Sequence, residues 1–181
     1  MKVELIRPAI TFILLAVHHA ADAFSRYPSR DDTPPYALKC PADKYVIADP
    51  QEVGTRVTWD IKADVVFSDS GSGFHSKWLS PGSGQPGDYY TEDGSPHIVV
   101  YSARDRANNV IDNGCSFRIF VSVVHCAYLG APINGYVTCS YGNRYGSDCN
   151  TYCFPGFQLA GSPSSRCERN GEWSGARPVC L

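Results

Sequence analysis

Six cysteines fall within the stretch from 126 to 180, at Cys126, Cys139, Cys149, Cys153, Cys167 and Cys180. Between the last two sits Asn170-Gly171-Glu172-Trp173-Ser174-Gly175. A segment this short buries too little apolar surface to fold unaided, so covalent cross-links must carry part of its stability. Disulfides of that kind persist in oxidising compartments. Cys40 and Cys115 bring the total to eight, an even number that leaves no thiol over.

The amino terminus agrees with that compartment. Lys2 and Arg7 make a basic start, Ala9 to Val17 an apolar stretch, and Ala21-Asp22-Ala23 a small-x-small cleavage site. Cleavage after Ala23 is expected. The apolar run is about half of the ~20 residues a spanning helix needs, which disfavours a membrane anchor. No later segment is long and apolar enough to insert into a membrane. The expected product is secreted and extracellular.

Residues 24–39 hold Arg26, Pro28, Arg30, Asp31, Asp32, Pro34 and Pro35 with few apolar side chains, and read as an extended linker. Residues 40–124 are rich in strand formers. Cys115, Phe117, Ile119, Val121 and Val123 alternate onto one face, and His97–Ala103 alternates likewise. Val57, Trp59 and Ile61 suggest a third strand and Val65–Phe67 a fourth. No stretch has a sustained helical period. The expected fold class is all-β, an immunoglobulin-like β-sandwich followed by a small disulfide-rich β module. An antibody-type domain would place a tyrosine two residues before its second cysteine, and Asn113 stands there instead. A bridge from Cys40 to Cys115 would tie the first strand to the last. Only His125 separates the two modules, which predicts a semi-rigid, elongated pair.

Charge excludes some partners. The first module carries seven basic and eleven acidic residues, the second four and three, and the whole chain has a net charge of −2. Neither half has the dense basic face that nucleic acid favours.

Chemistry-bearing patterns are sparse. Cys149-x-x-x-Cys153 has zinc-compatible spacing, but the export signal and even cysteine count favour disulfides, so no metal is expected. Asp60, Asp64 and Asp69 match no calcium loop and read as solvated charge. The Ser/Gly stretches lack a Gly-x-Ser-x-Gly arrangement, so no catalytic residue is assigned. No cofactor-binding fingerprint is present, no cofactor is expected, and the chain reads as a non-enzyme. It has no Asn-x-Ser/Thr acceptor and no Arg-Gly-Asp motif. The best place for protein-specific recognition is the long segment from 68 to 96. There Trp78, Tyr89 and Tyr90 form a candidate partner-binding loop. Tyr89 and Tyr90 lie among acidic residues, a context in which exported tyrosines can be sulfated.

Thr33-Pro34-Pro35, Cys40-Pro41, Val57-x-Trp59, Tyr101-x-Ala103-x-Asp105-x-Ala107-Asn108-Asn109 and Cys115-x-Phe117-x-Ile119-x-Val121 together resemble a hyalin repeat (HYR) domain. The family departs from this chain at Asn108, where it often has glycine. It also often has a proline near Lys62 and Ala63. Cys126, Pro132-x-Asn134-Gly135, Tyr145-Gly146-Ser147, Cys153-x-x-Gly156-Phe157-x-Leu159-x-Gly161, Cys167, Trp173-Ser174-Gly175, Pro178 and Cys180 resemble a sushi, or complement control protein, domain. Six cysteines alone allow fifteen pairings. The sushi resemblance implies Cys126–Cys167 and Cys153–Cys180, leaving Cys139–Cys149 as in the six-cysteine modules of selectins. By size and apolarity Trp173 reads as the largest residue of the small core, with Phe157 and Leu159 beside it.

The order of modules resembles part of the sushi-repeat-containing secreted proteins. That likeness implies recognition of extracellular proteins, a receptor or a matrix component, in adhesion. A complement-type or host-defence regulator is the alternative. A fragment of a larger multidomain adhesion protein is another.

Overall fold

The alternation of Phe117, Ile119 and Val121 drives one side of a strand inward, and the fold is built on that strand. The structure is a computed structural model that describes residues 30–181. The export signal assigned to 1–23 and the start of the 24–39 linker lie outside the described residues. All thirteen regular elements described are β-strands.

In the first module, a four-stranded sheet runs β2 (Lys44–Ile47), β8 (Val110–Ser122), β7 (His97–Asp105), β5 (Phe74–Leu79). β2 pairs with β8 in parallel, and the other ladders are antiparallel. β1 (Tyr36–Lys39) pairs with β4 (Val66–Ser68), and β3 (Gly54–Arg56) with β6 (Tyr89–Thr91). β1 therefore occupies the end of the expected linker, and Pro35 just before it is fully buried. Val65, Phe67, Val99, Tyr101, Ala103, Phe117, Ile119 and Val121 share one core with Val57 and Trp59. Trp59 supplies the polar handle within it. Its Nε1–H donates to the Tyr101 hydroxyl at 2.8 Å, and its ring meets Phe117 edge-on at 5.1 Å. Cys40 is bridged to Cys115 beside this core.

The expected strand through Val57, Trp59 and Ile61 does not form. Val57 and Trp59 are buried as the alternation implies, but residues 57–60 join no ladder. Val57 exchanges backbone bonds with the 87–88 turn, and the Asp60 carboxylate accepts from Lys62 N and Ala63 N. That carboxylate turns the chain before Ile61 can extend it, and Ile61 is left exposed. Lys77 holds the same turn from the sheet, donating to the carbonyls of Ile61 and Val65. Burial pushes the Lys77 amine down.

Two local devices shape the β7–β8 hairpin. Register slips between Tyr101 and Ala103, opposite Asp112, Asn113 and Gly114. Asn113 has φ 56°, and a β-carbon on Gly114 would lie 2.7 Å from the Phe67 ring. This bulge lets β8 bend over the core. At the hairpin end, the buried Asp105 accepts from both Asn109 N and Nδ2 at 2.8 Å, and Asn108 takes φ 76°. A left-handed residue at 108 is the conformation glycine adopts at no steric cost.

The second module has β9 (Gly135–Cys139), β10 (Asp148–Cys153) and β12 (Ser164–Arg166) in one sheet, ordered β12-β10-β9. β11 (Leu159–Ala160) pairs with β13 (Val179–Cys180). Bridges join Cys126 to Cys167, Cys139 to Cys149, and Cys153 to Cys180. Trp173 is half-buried, and its Nε1–H donates to Ala127 O at 2.7 Å. Phe157, expected beside it in the core, is exposed, because the turn that bonds Phe157 N to Phe154 O carries it outward.

Two outcomes test these assignments. Tyr101→Phe should strand the buried Trp59 N–H and cost about 1–3 kcal/mol in urea unfolding, with tryptophan fluorescence as the probe. Replacing the Cys139–Cys149 pair by serines should cost less than replacing Cys153–Cys180, by roughly 1 kcal/mol for the shorter loop. Equal midpoints for the two double variants would contradict the second expectation.

Candidate functional site at the module seam

The tip between β2 and β3 is a tight turn. Asp49 N donates to Gly54 O at 2.9 Å and Glu52 N to Asp49 O at 3.0 Å. Within it Gln51 adopts φ 70°, a conformation that costs a non-glycine residue roughly 1–3 kcal/mol. That strain is offset across the seam. Gln51 N donates to Tyr145 O at 2.7 Å, and Gln51 Nε2 donates to Gly146 O at 2.8 Å. On its other side the same loop is held by the junction around His125, since Tyr145 N donates to Val124 O and Cys126 N to Asn143 O, each at 2.8 Å. His125 itself forms an antiparallel bridge with Arg144. Gly146 has φ 81°, and a β-carbon there would sit 2.6 Å from Pro50 Cβ. The seam therefore requires glycine twice over, for conformation and for close approach.

The candidate recognition residues are distributed unevenly. Trp78 lies on β5 opposite Ser102, half-buried, with the Arg104 guanidinium 5.8 Å from its ring. It is a strand residue and not part of a loop. Tyr90 is only 5% exposed, and its hydroxyl donates to Gln85 O at 3.2 Å. Burial, with the nearby Asp88 charge, pushes that hydroxyl up to about 12. Tyr90 is thus a core residue, and a sulfate on it would have no room. Tyr89 faces the other way, 41% exposed, with its hydroxyl donating to Glu52 at 3.2 Å. Alternation along β6 separates the two neighbours.

The carboxylates considered for calcium have separate local partners. Asp60 caps its own turn, Asp64 pairs with Lys39 at 3.0 Å, and Asp69 accepts from Gly71 N and Gly73 N. The hydrogen bond from Lys39 holds the Asp64 carboxyl below its ordinary value.

Sequence reasoning missed two exposed aromatic surfaces. On the first module, Tyr45 stacks on Phe120 at 4.7 Å with the planes 4° apart. The Arg118 guanidinium lies 5.2 Å from the Phe120 ring and is itself clamped by Asp43, through Nε at 3.0 Å and Nη2 at 2.6 Å. On the second module, Tyr136 and Tyr152 face each other across β9 and β10 at 5.1 Å, with Phe154 6.2 Å from Tyr136. Their sequence signal was an aromatic on the solvent side of an alternating strand, as Phe120 stands out among Ser116, Arg118 and Ser122.

Asp43 gives a pH marker for the first surface. Its hydrogen bonds from Arg118 lower the carboxyl below the ordinary value of 3.8. The stabilisation it brings is present above that ordinary value and is lost as pH falls through the lower folded one. Carboxyl-detected NMR titration should place Asp43 below 3.8, and Arg118→Gln should return it upward. For the seam, Gly146→Ala should cost about 2 kcal/mol and uncouple the modules. Residual dipolar couplings should fit one alignment tensor in the parent chain and two in the variant.

Comparison with known proteins adds to this geometry. Residues 126–180 match the Sushi repeat (SCR repeat). The human Sushi repeat-containing protein SRPX is 38% identical over 156 residues, covering 82% of this chain and 31% of the relative. Sushi repeat-containing protein SRPX2 is 34% identical over 150 residues in human, covering 82% of this chain and 30% of the relative. Its Xenopus laevis counterpart is 31% identical over 150 residues, covering 82% of this chain and 31% of its own length. The chain thus spans about a third of the length of the curated relatives it matches. It carries a Sushi repeat at 126–180 and is homologous to the Sushi repeat-containing proteins SRPX and SRPX2.

Proposed function

We propose that this chain is a secreted, non-enzymatic recognition protein that binds other extracellular proteins, a receptor or a matrix component. Its first module would be a hyalin-repeat sandwich, and its sushi module would act with it as one ligand-presenting body. The observation that carries this reading is the seam, where Gln51 is bonded twice to the 145–146 loop. A fixed relation between two modules lets exposed surfaces on both meet one partner without the entropic cost of ordering a flexible joint. Four disulfides support an extracellular setting. No helix among the described residues is long and apolar enough to cross a membrane. Adhesion is the role that best fits a chain with exposed aromatic surfaces and no assigned catalytic group. Of the original loop candidates, Tyr89 stays available for contact, and the two aromatic stacks extend the choice.

The test uses the intact chain expressed through a secretory pathway and labelled at its amino terminus. Saturable binding to intact cells or to deposited extracellular matrix is expected, and disulfide reduction should abolish it. A native chain that binds neither preparation saturably would rule the reading out.

A further inference from the structure

A notch of about 380 Å³ lies at the seam. One wall is the six consecutive residues Tyr45 to Pro50, joined by Thr55, Arg56, Tyr145 and Arg169. Consecutive residues of a strand point to opposite faces, so the part of the wall made by Tyr45, Val46 and Ile47 is the backbone edge of β2, and Ala48 to Pro50 continue it into the turn. β2 is the outer strand of its sheet and pairs only with β8 there. An edge of this kind offers backbone N–H and C=O groups to an added strand.

Two further features flank the edge. Tyr45 is 75% exposed, yet its ring is held flat on Phe120 and, through Arg118 and Asp43, on a clamped support. A rigid exposed ring loses little freedom when another ring stacks on it. At the second module's side stands Arg169, whose side chain makes no hydrogen bond or ion pair among the described residues. Arg56 has one donation, from Nη1 to Gly87 O at 2.9 Å, and no ion pair. The acid lining the notch, Asp49, already accepts from the Thr55 hydroxyl at 3.1 Å. Two guanidinium groups with N–H donors to spare favour a carboxylate.

We infer that this notch binds an extended peptide of an extracellular protein partner, one that carries an aromatic side chain and a carboxylate. The peptide pairs with the free edge of β2, its ring stacks on Tyr45, and its carboxylate takes Arg56 and Arg169. Because Arg169 belongs to the sushi module, the site is complete only while the seam is closed. The inference rests on the reading of the chain as a protein-recognition module and assigns it a surface.

The probe is the blocked peptide acetyl-Thr-Tyr-Thr-Glu-Thr-amide, titrated into the isotope-labelled chain and followed by amide NMR. Saturable shifts are expected along β2 and at Arg169. Arg169→Gln, an exposed change that leaves the core untouched, should weaken binding about tenfold, and a glutamine-for-glutamate peptide should lose a similar factor. Tyr45→Ala should weaken it by a comparable amount. Absence of saturable shifts, or equal affinity in the parent chain and both variants, would overturn the site. The same variants separate this inference from the broader one. If Arg169→Gln and Tyr45→Ala bind cells or matrix as well as the parent does, the notch is wrong and the recognition reading stands. If the parent binds the peptide but no cell or matrix surface, the notch stands and the recognition reading falls.

Discussion

The close approach of Pro50 to Gly146 is the contact on which the arrangement of this protein depends. No side chain fits between them, so the two backbones lie against each other and Gln51 can reach two carbonyls of the neighbouring loop. A left-handed glutamine is unfavourable by itself. It persists because its surroundings over-determine it, and those surroundings come from both modules. The single junction residue His125 would limit their motion by length alone. The Gln51 bonds convert that limit into a defined docking.

Each module is held by a different balance of forces. The first has a continuous apolar core and one bridge, with the Trp59–Tyr101 hydrogen bond satisfying the polar atoms that two of its largest core side chains bring inward. The second has three bridges and few buried apolar side chains other than its cysteines. Apart from Tyr145 at the seam, its tyrosines and phenylalanines are consequently free to face solvent. An exposed aromatic ladder such as Tyr136–Tyr152 is tolerable where covalent links, and not burial, keep the strands together.

Much of the architecture was legible in the residues, and the exceptions have physical causes. Alternation from Cys115 to Val121 and from His97 to Ala103 marked the two longest strands. The same alternation at Val57 and Trp59 reported burial correctly but not hydrogen bonding. Those are separate properties, and the Asp60 cap decided the second. Tyr89 and Tyr90 looked equivalent in sequence, because only packing against the core tells which one points inward. The seam was the least legible feature. Nothing about a glutamine in a Pro-Gln-Glu turn announces a positive φ, and its partners lie some ninety-five residues away. The edge of β2 was hidden for a similar reason, since a parallel pairing with a strand so distant in sequence leaves no local pattern.

The Cys40–Cys115 bridge also defines a mechanical load path. Tension applied to the chain on either side of the first module enters at Cys40 and leaves through Cys115, bypassing everything between, a separation of 75 residues. The Cys126–Cys167 bridge does the same for most of the second module. While oxidised, the pulled chain has little slack to release, because the covalent path skips strands β2 to β7. Reduction would open both loops at once and change a nearly inextensible tether into a long compliant one.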